Sequence, residues 1–284
     1  MRHTPRSTDS LRPRAARAST RAIRLEGRPL STWDPAKYLE FAGLRLRPAL
    51  DLLARVPLGN PGVVYDLGCG AGNVTRLLTA RWPGARVTGV DGSAAMLAEA
   101  RKAEPDVTWV EADLRAWAPP RPAALIFSNA ALHWLPDHEV LLPRLMRHLE
   151  PGGVLAVQMP RNHGAPSHTE MTAAALAGPW KDRLASLVGG RPVDSPDTYY
   201  DLLAPLAGHL EIWETEYLQV LDGEHPVVEW TRGTALRPLL EALAEPERSA
   251  FLQEYTTRVD LAYPRRADGR TLFPFRRLFM VARR

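Results

Sequence analysis

Cysteine is almost absent from this chain of 284 residues, which contains only Cys69. A lone cysteine excludes an internal disulfide and fits a reducing compartment, so we expect a cytoplasmic protein. We interpret Cys69 as a small packing residue rather than a nucleophile. Long apolar runs are also missing, because no stretch approaches the roughly 20 residues of a membrane-spanning helix. The sequence therefore predicts no membrane partner.

Lysine is scarce too, and arginine supplies nearly all the positive charge. Residues 1–30 hold eight arginines against Asp9 and Glu26, which gives this segment a net charge of +6. The whole chain has a net charge of +4, so the residues after 30 have a net charge of −2. An acidic body lacks the basic stripe typical of nucleic-acid-binding proteins, and we expect no such partner. We interpret residues 1–30 as a disordered basic tail or the product of an early start codon, in preference to a transit peptide.

From residue 31 onward, short apolar strands alternate with amphipathic helices. This alternation predicts an α/β protein with a Rossmann-like, doubly wound and mostly parallel sheet. Ligands of such sheets bind beyond the carboxyl ends of the strands.

The segment VVYDLGCGAGNVTRLL places a glycine-rich loop at such a strand end. Gly68, Gly70 and Gly72 form G-x-G-x-G, which lets backbone approach a ligand. A nicotinamide or flavin fingerprint requires G-x-G-x-x-G, but residue 73 is asparagine. Asp66 precedes the first glycine by two residues, and a carboxylate there suits a ligand with a cationic head better than a pyrophosphate. An oxidoreductase is therefore disfavoured.

Two further carboxylates follow the next two predicted strands. Asp91 lies where an acid accepts hydrogen bonds from a ribose diol. Asp113 is placed to accept from an adenine amino group, with Met96 and Leu114 as apolar surfaces against the ring. Either aspartate alone is equally well explained as a helix N-cap. Three acids at three successive strand ends favour the ligand interpretation.

The motifs DLGCGAGNVT, GVDGSAAML, EADLRAW and SNAALHWLPD resemble the consecutive motifs of class I S-adenosylmethionine-dependent methyltransferases. The flanking segments WDPAKYLEFAGLRLRPALDLL, LAVQMPRN, TALRPLL and FPFRRLFMVARR are similar to the trans-aconitate methyltransferase family. This resemblance implies methyl transfer from S-adenosylmethionine to a trans-aconitate carboxylate, with S-adenosylhomocysteine as the second product. The implied cofactor-binding residues are Asp66, Gly68, Gly70, Asp91, Met96, Asp113, Leu114 and Asn129.

The chemistry of methyl transfer constrains the catalytic residues. An in-line displacement needs a nucleophile about 3 Å from the methyl carbon. A carboxylic acid is already ionised at neutral pH and needs no general base. His133 would be the base for a phenol or alcohol acceptor, whereas for a carboxylate it donates a hydrogen bond, shapes the pocket or only packs. His133 and its neighbour Trp134 are the predicted catalytic residues.

A tricarboxylate acceptor requires cationic partners, and the arginine fork matches a carboxylate. The family resemblance favours Arg45, Arg237 and Arg277, while solvated surface charge is the alternative for each. Arg276 and Arg277 cannot both face one pocket, because successive strand residues point in opposite directions. Trp33, Tyr38 and Trp230 are predicted to wall the site, with core packing as the alternative.

The resemblance also divides the chain. We expect an S-adenosylmethionine-binding core with N-terminal helices at 31–160 and a helical cap insertion at 161–208. The last two strands follow at 209–284, with a second cap insertion at about 226–262 and an antiparallel final strand. Cap helices are predicted near Met171–Leu187 and Val227–Leu243.

We expect a monomer acting on a small carboxylic acid, without a metal. Two alternatives stay open: a methyltransferase for another small molecule, with His133 as base, and a non-catalytic protein that binds S-adenosylmethionine.

Overall fold

Seven strands form one sheet in the part of the chain that the computed structural model describes, namely Met1, residues 42–189 and residues 193–284. The strands are β1 (Val63–Leu67), β2 (Arg86–Asp91), β3 (Thr108–Glu111), β4 (Ala123–Asn129), β5 (Leu149–Pro160), β6 (His209–Leu221) and β7 (Thr271–Arg283). Their order is β3-β2-β1-β4-β5-β7-β6. The first five are parallel, whereas β7 runs antiparallel to both β5 and β6. The predicted α/β fold with an antiparallel last strand is confirmed.

Ten α-helices are described. They are α1 (Ala42–Ala54), α2 (Asn73–Arg81), α3 (Ala94–Ala103), α4 (His138–Arg147), α5 (Pro166–Ala177), α6 (Lys181–Leu184), α7 (Pro196–Leu203), α8 (Pro226–Arg232), α9 (Arg237–Glu241) and α10 (Glu247–Ala262). Within the described residues, no helix is both long and apolar enough to cross a membrane. The described residues from 42 onward belong to the compact unit Ser31–Arg284.

Helices cover both faces of the sheet, as a doubly wound fold requires. On one face, α1 and α2 pack on β4, β5 and β7 through a cluster that includes Leu52, Leu78, Phe127 and Phe279. On the other face, α4 and α7 pack on the same strands through a cluster that includes Leu142. The parallel strands are consequently buried on both sides, which explains their nearly continuous apolar sequences.

The antiparallel pair formed by β6 and β7 extends beyond the sheet core. These strands pair along 13 residues each, but β7 pairs with β5 only from Arg277 to Arg283. The projecting part of β7 carries Phe273 and Phe275, which pack in a separate apolar cluster with α5, α6, α8, α9 and α10. Arg277 therefore lies at the junction between the sheet core and this helical layer.

The helical layer is more broken than predicted. The expected helix near Met171–Leu187 is divided into α5 and α6 at Gly178, whose backbone is extended and where a Cβ would lie 2.3 Å from the Trp180 ring. The expected helix near Val227–Leu243 is divided into α8 and α9 after Gly233. Helices lie between β5 and β6 and between β6 and β7, while the proposed domain boundaries, including the tail at 1–30, stay predictions.

Candidate active site

The first part of the candidate site is the glycine loop after β1. Gly68 has φ +72°, and a Cβ built there would lie 2.1 Å from the Cβ of Ala131, so only glycine fits. Its N–H donates to the carbonyl of Val90 at 2.7 Å, which ties the loop to the end of β2. At Gly70, with φ +55°, a Cβ would lie 3.1 Å from Met96 Cε. The loop therefore offers bare backbone beside Met96.

Asp66 is the buried acid of this loop, with 1% of its surface exposed. Thr75, on the first turns of α2, donates a 2.6 Å hydrogen bond to Asp66 Oδ2. Burial raises the pKa of Asp66 to about 7, opposed by the Thr75 hydrogen bond and assisted by the charge of Asp91. A cationic ligand next to this carboxyl would favour its ionised form.

Asp91 organises the loop from the end of β2. Its Oδ2 accepts from the Gly70 N–H and its Oδ1 from the Ser93 N–H, both at 2.8 Å. Helix α3 is capped instead by Ser93, whose Oγ accepts from the Met96 N–H. The alternative that Asp91 is an N-cap is wrong. Each carboxylate oxygen keeps a further lone pair, as recognition of a ribose diol requires.

Asp113 is exposed and pairs with Arg115. The Arg115 guanidinium donates to both carboxylate oxygens, and the Arg115 N–H donates to Oδ1. These hydrogen bonds lower the pKa of Asp113. No helix follows Asp113, so it is not an N-cap either. Arg144 on α4 donates to the carbonyl of the buried Leu114 at 2.8 Å, which holds the loop after β3.

The second part of the site lies at the ends of β4 and β5. Asn129 is in register with Gln158, so both side chains are on the face of the sheet that carries α1 and α2. Arg277 is in register with Pro160 on the same face, and its Nη1 donates to Gln158 Oε1 at 3.3 Å. The Arg277 guanidinium lies 4.6 Å from the centre of the Phe275 ring.

His133 follows β4 in a short 3₁₀ turn, Leu132–Trp134. The turn begins after Ala130, which has φ 53°, a left-handed conformation that is uncommon outside glycine. Burial, together with the positive charge of Arg277, lowers the pKa of His133 to about 3. His133 is therefore a neutral ring at physiological pH and a weak proton acceptor. Trp134 is 59% exposed on the same turn.

Three buried polar atoms converge on this region without a hydrogen-bond partner among the described residues. They are Asn129 Oδ1, His133 Nδ1 and Gln158 Nε2. Buried polar groups are nearly always paired in native proteins, so an unpaired group requires a reason. A polar ligand at the ends of β4 and β5 would supply the missing partners.

The remaining predicted residues are placed less directly. Arg277 is 5% exposed, whereas Arg276 is exposed and pairs with Glu216, as strand alternation requires. Arg237 forms an ion pair with Glu241 one turn along α9. Trp230 is 3% exposed and packs against Phe273 and Phe275, in the helical layer. Trp33, Tyr38 and the side chain of Arg45 lie outside what the structure describes.

A groove of about 850 Å³ lies beside the projecting part of β6 and β7, on the face opposite to Phe273 and Phe275. Its lining includes Leu218, Pro274 and Arg276, and none of the predicted cofactor residues. Arg276 and Arg161, which also lines it, are paired with Glu216 and Glu214. The groove is therefore distinct from the glycine loop and from Arg277.

Two site residues were missed in the sequence. Thr75 gave no signal, because its contact with Asp66 depends on how α2 leaves the glycine loop. Gln158 did give one: it is the only polar residue in the otherwise apolar run VLAVQMP. A glutamine at the centre of a buried strand must find a polar partner, and the register with β7 was needed to identify Arg277.

Comparison with known proteins places these residues in context. A family profile described as a methyltransferase domain matches residues 64–153. A trans-aconitate 2-methyltransferase from Azoarcus sp. is 59% identical over 253 residues, 89% of this chain and 99% of its own length. Another from Rhodopseudomonas palustris is 50% identical over 254 residues, again 89% and 99%.

Solved structures agree on the fold. A phosphoethanolamine N-methyltransferase 2 from Haemonchus contortus, in complex with phosphomonomethylethanolamine and S-adenosylhomocysteine, superposes with a TM-score of 0.50 at 18% identity. The match covers 83% of this chain and 52% of that longer one. At this identity the likeness concerns the fold alone.

Proposed function

Because the chain belongs to the trans-aconitate 2-methyltransferase family, we propose that it transfers a methyl group from S-adenosylmethionine to a carboxylate of trans-aconitate. The products are a monomethyl ester and S-adenosylhomocysteine. S-adenosylmethionine, when bound, supplies an electrophilic methyl group on a sulfonium, and loss of this methyl group leaves a neutral thioether. The carboxylate loses its charge as the new C–O bond forms, so no proton has to move.

The glycine loop and its acids fit this cofactor. Gly68 and Gly70 leave room where a Cβ would collide, and Asp66 provides a buried carboxyl whose ionisation a cationic ligand would favour. Asp91 holds the loop through Gly70 while keeping acceptor capacity. We assign Met96 and Leu114, both buried, to the adenine side of the pocket. Asp113 is exposed and would accept from the adenine amino group through a lone pair that its hydrogen bonds with Arg115 do not use.

The observation that carries the acceptor class is the burial of Arg277. Its guanidinium is 5% exposed and donates to Gln158 Oε1, next to the end of β4 that carries Asn129. A carboxylate of the acceptor bound there would gain a charge-assisted contact with the guanidinium, which is stronger in a buried site than in water.

His133 supports a carboxylate acceptor rather than an alcohol. A general base is most effective when its pKa is near the working pH. Burial and Arg277 instead lower the pKa of His133 to about 3. We assign to His133 the role of a neutral hydrogen-bonding group in the pocket wall, with Trp134 beside it. Catalysis then consists of positioning the anion in line and excluding water.

The test is methyl transfer by the purified protein from methyl-labelled S-adenosylmethionine. Trans-aconitate, cis-aconitate, citrate, isocitrate and a phenolic acid are offered in parallel. We expect a base-labile labelled ester from trans-aconitate in preference to the others. Labelling of the phenol alone would instead support an alcohol-type acceptor, and cofactor binding without transfer to any acid would support a non-catalytic protein.

We also propose that the enzyme acts in the cytoplasm as a monomer, on a free small acid and without nucleic acid. A chain with a single cysteine forms no internal disulfide, which supports a reducing compartment. Cys69 is buried among Leu97, Ala100 and Trp109, and burial raises the pKa of its thiol, which fits a packing role. The net charge of −2 after residue 30 argues against a nucleic-acid partner. Sedimentation of the purified protein across a concentration series tests the monomer.

A further inference from the structure

Gln158 is a fully buried polar side chain that the family-based assignment leaves without a role. It lies on β5 between Val157 and Met159, with 0% of its surface exposed. The burial of an amide in such surroundings destabilises a protein unless hydrogen bonds compensate for the lost hydration. Gln158 therefore has a structural or ligand-binding reason to be there.

The orientation of the Gln158 amide follows from its partner. Arg277 Nη1 lies 3.3 Å from one amide atom, and a guanidinium has only donors. The atom facing Arg277 must therefore be the oxygen, Oε1. The other atom is Nε2, a donor with no hydrogen-bond partner within the described residues.

The surroundings of Nε2 point to an anionic ligand. Arg277 supplies a positive charge at the adjoining position, and His133 is neutral because its pKa is about 3. Asn129, in register with Gln158 on β4, belongs to the predicted cofactor set. Gln158 thus lies between the predicted cofactor-binding end of β4 and the cation that we assign to the acceptor.

We propose that Gln158 is a substrate-binding residue, whose Nε2 donates a hydrogen bond to a carboxylate oxygen of the acceptor that Arg277 also binds. This inference rests on the proposed function, because it assigns a residue to the same acceptor. The amide and the guanidinium together present two kinds of donor to one carboxylate. A carboxylate gains more from the charged guanidinium than a neutral group does, so this pair favours an acid over a neutral acceptor.

The test combines binding and spectroscopy. Binding of trans-aconitate to the protein saturated with S-adenosylhomocysteine is measured by calorimetry for the wild type, Gln158→Met and Gln158→Glu. Methionine has a similar shape and lacks both polar atoms, while glutamate keeps an acceptor for Arg277 and lacks the N–H donor. Gln219→Met is the matched control, since Gln219 is another buried glutamine, 5% exposed, on β6 opposite Phe273.

A second readout reports on Nε2 itself. The side-chain amide signals of Gln158 in a ¹H–¹⁵N spectrum are assigned by their loss in either variant. We expect them to move downfield when trans-aconitate is added, because the N–H groups gain a charged acceptor. A residue that only supports Arg277 would not show this shift.

We expect the dissociation constant for trans-aconitate to rise about 10- to 100-fold in both Gln158 variants, the loss of one hydrogen bond to a charged group. Both Gln158 variants should bind S-adenosylhomocysteine within about twofold of wild type. The Gln219→Met variant should bind trans-aconitate within about twofold of wild type. Unchanged acceptor binding in the variants, unmoved amide signals, or failure of the wild type to bind any tricarboxylate would each overturn the inference.

These outcomes are separable from those of the proposed function. Tricarboxylate binding that depends on Gln158, without methyl transfer to trans-aconitate, would refute the proposed reaction and support the acceptor site. Methyl transfer that proceeds with wild-type KM in both variants would support the reaction and refute the role of Gln158.

Discussion

Thr75 Oγ1 donates a 2.6 Å hydrogen bond to Asp66 Oδ2 in a region with no solvent contact. This pair joins the last residues of β1 to the helix that follows the glycine loop, so it fixes both ends of the loop at once. The hydrogen bond favours the ionised carboxylate, but burial opposes ionisation more strongly and holds the pKa of Asp66 at about 7. The loop therefore contains a carboxyl group that changes its charge near neutral pH.

The first prediction concerns stability without ligand. Folded Asp66 keeps its proton up to about pH 7, whereas the unfolded chain releases it near 3.8. The folded state binds more protons within this window, so the free energy of unfolding falls as pH rises through it, by about 1.4 kcal/mol per unit of pKa difference. Asp66→Asn removes this contribution. Melting temperatures at about pH 5 and pH 8 should show a smaller fall for the variant than for wild type.

The second prediction concerns cofactor binding. A cationic ligand lowers the pKa of Asp66, so binding at about pH 6 should release up to one proton and tighten as pH rises toward 7. Calorimetry with S-adenosylmethionine in two buffers of different ionisation enthalpy measures the proton count. In Asp66→Asn the release should disappear and binding should weaken. Equal proton release by both proteins would contradict the assignment of Asp66.

The α/β sheet, and the position of three candidate site residues at the carboxyl ends of its strands, could be predicted from the sequence. Asp66, Asp91 and Asn129 follow apolar runs whose lengths define strands, and parallel strands bring their carboxyl ends to one edge. Strand alternation likewise predicted that Arg276 and Arg277 diverge, which the burial of Arg277 confirms.

Contacts between distant segments could not be predicted in this way. The partner of Gln158 is 119 residues away and depends on the register of β7 with β5. The partner of Asp113 is only two residues away, yet Arg115 has no periodic signal, and the bidentate pair is a matter of side-chain conformation. The break in the helical layer at Gly178, where a Cβ would lie 2.3 Å from the Trp180 ring, depends on packing rather than on helix propensity alone.

The third prediction is that His133 is not a general base. Because its pKa is about 3 and the acceptor is already an anion, kcat at saturating substrates should be flat between about pH 6 and 9. His133→Asn should lower kcat less than about tenfold, whereas loss of a general base costs about 100- to 10,000-fold. A kcat that follows a single ionisation near 6.5 in wild type and not in the variant would refute this prediction.

The fourth prediction concerns the glycine loop. Gly68→Ala brings a Cβ to 2.1 Å from Ala131 and requires an L-residue at φ +72°, so the loop must move. We expect at least about a tenfold loss of cofactor affinity and a destabilisation of about 1–3 kcal/mol. Gly62→Ala is the control, since a Cβ there meets nothing within 4 Å. Equilibrium binding and thermal unfolding of both variants measure the difference, and similar effects from the two would contradict it.

The fifth prediction uses two adjacent arginines on β7. Arg277 is buried beside Gln158, while Arg276 is exposed and pairs with Glu216 on the opposite face. Arg277→Ala should raise KM for trans-aconitate about 100-fold, because a charge-assisted contact to the anion is lost. Arg276→Ala should change KM less than about twofold, as exposed ion pairs contribute little.

The dissociation constant for S-adenosylhomocysteine should be similar in both variants, since neither arginine belongs to the glycine loop. If Arg277→Ala weakened S-adenosylhomocysteine and trans-aconitate equally, the loss would reflect damage to the sheet junction, and the acceptor would have to be bound elsewhere. Arg277→Lys separates charge from geometry, because lysine keeps the positive charge and lacks the fork. We expect it to recover only part of the affinity for trans-aconitate.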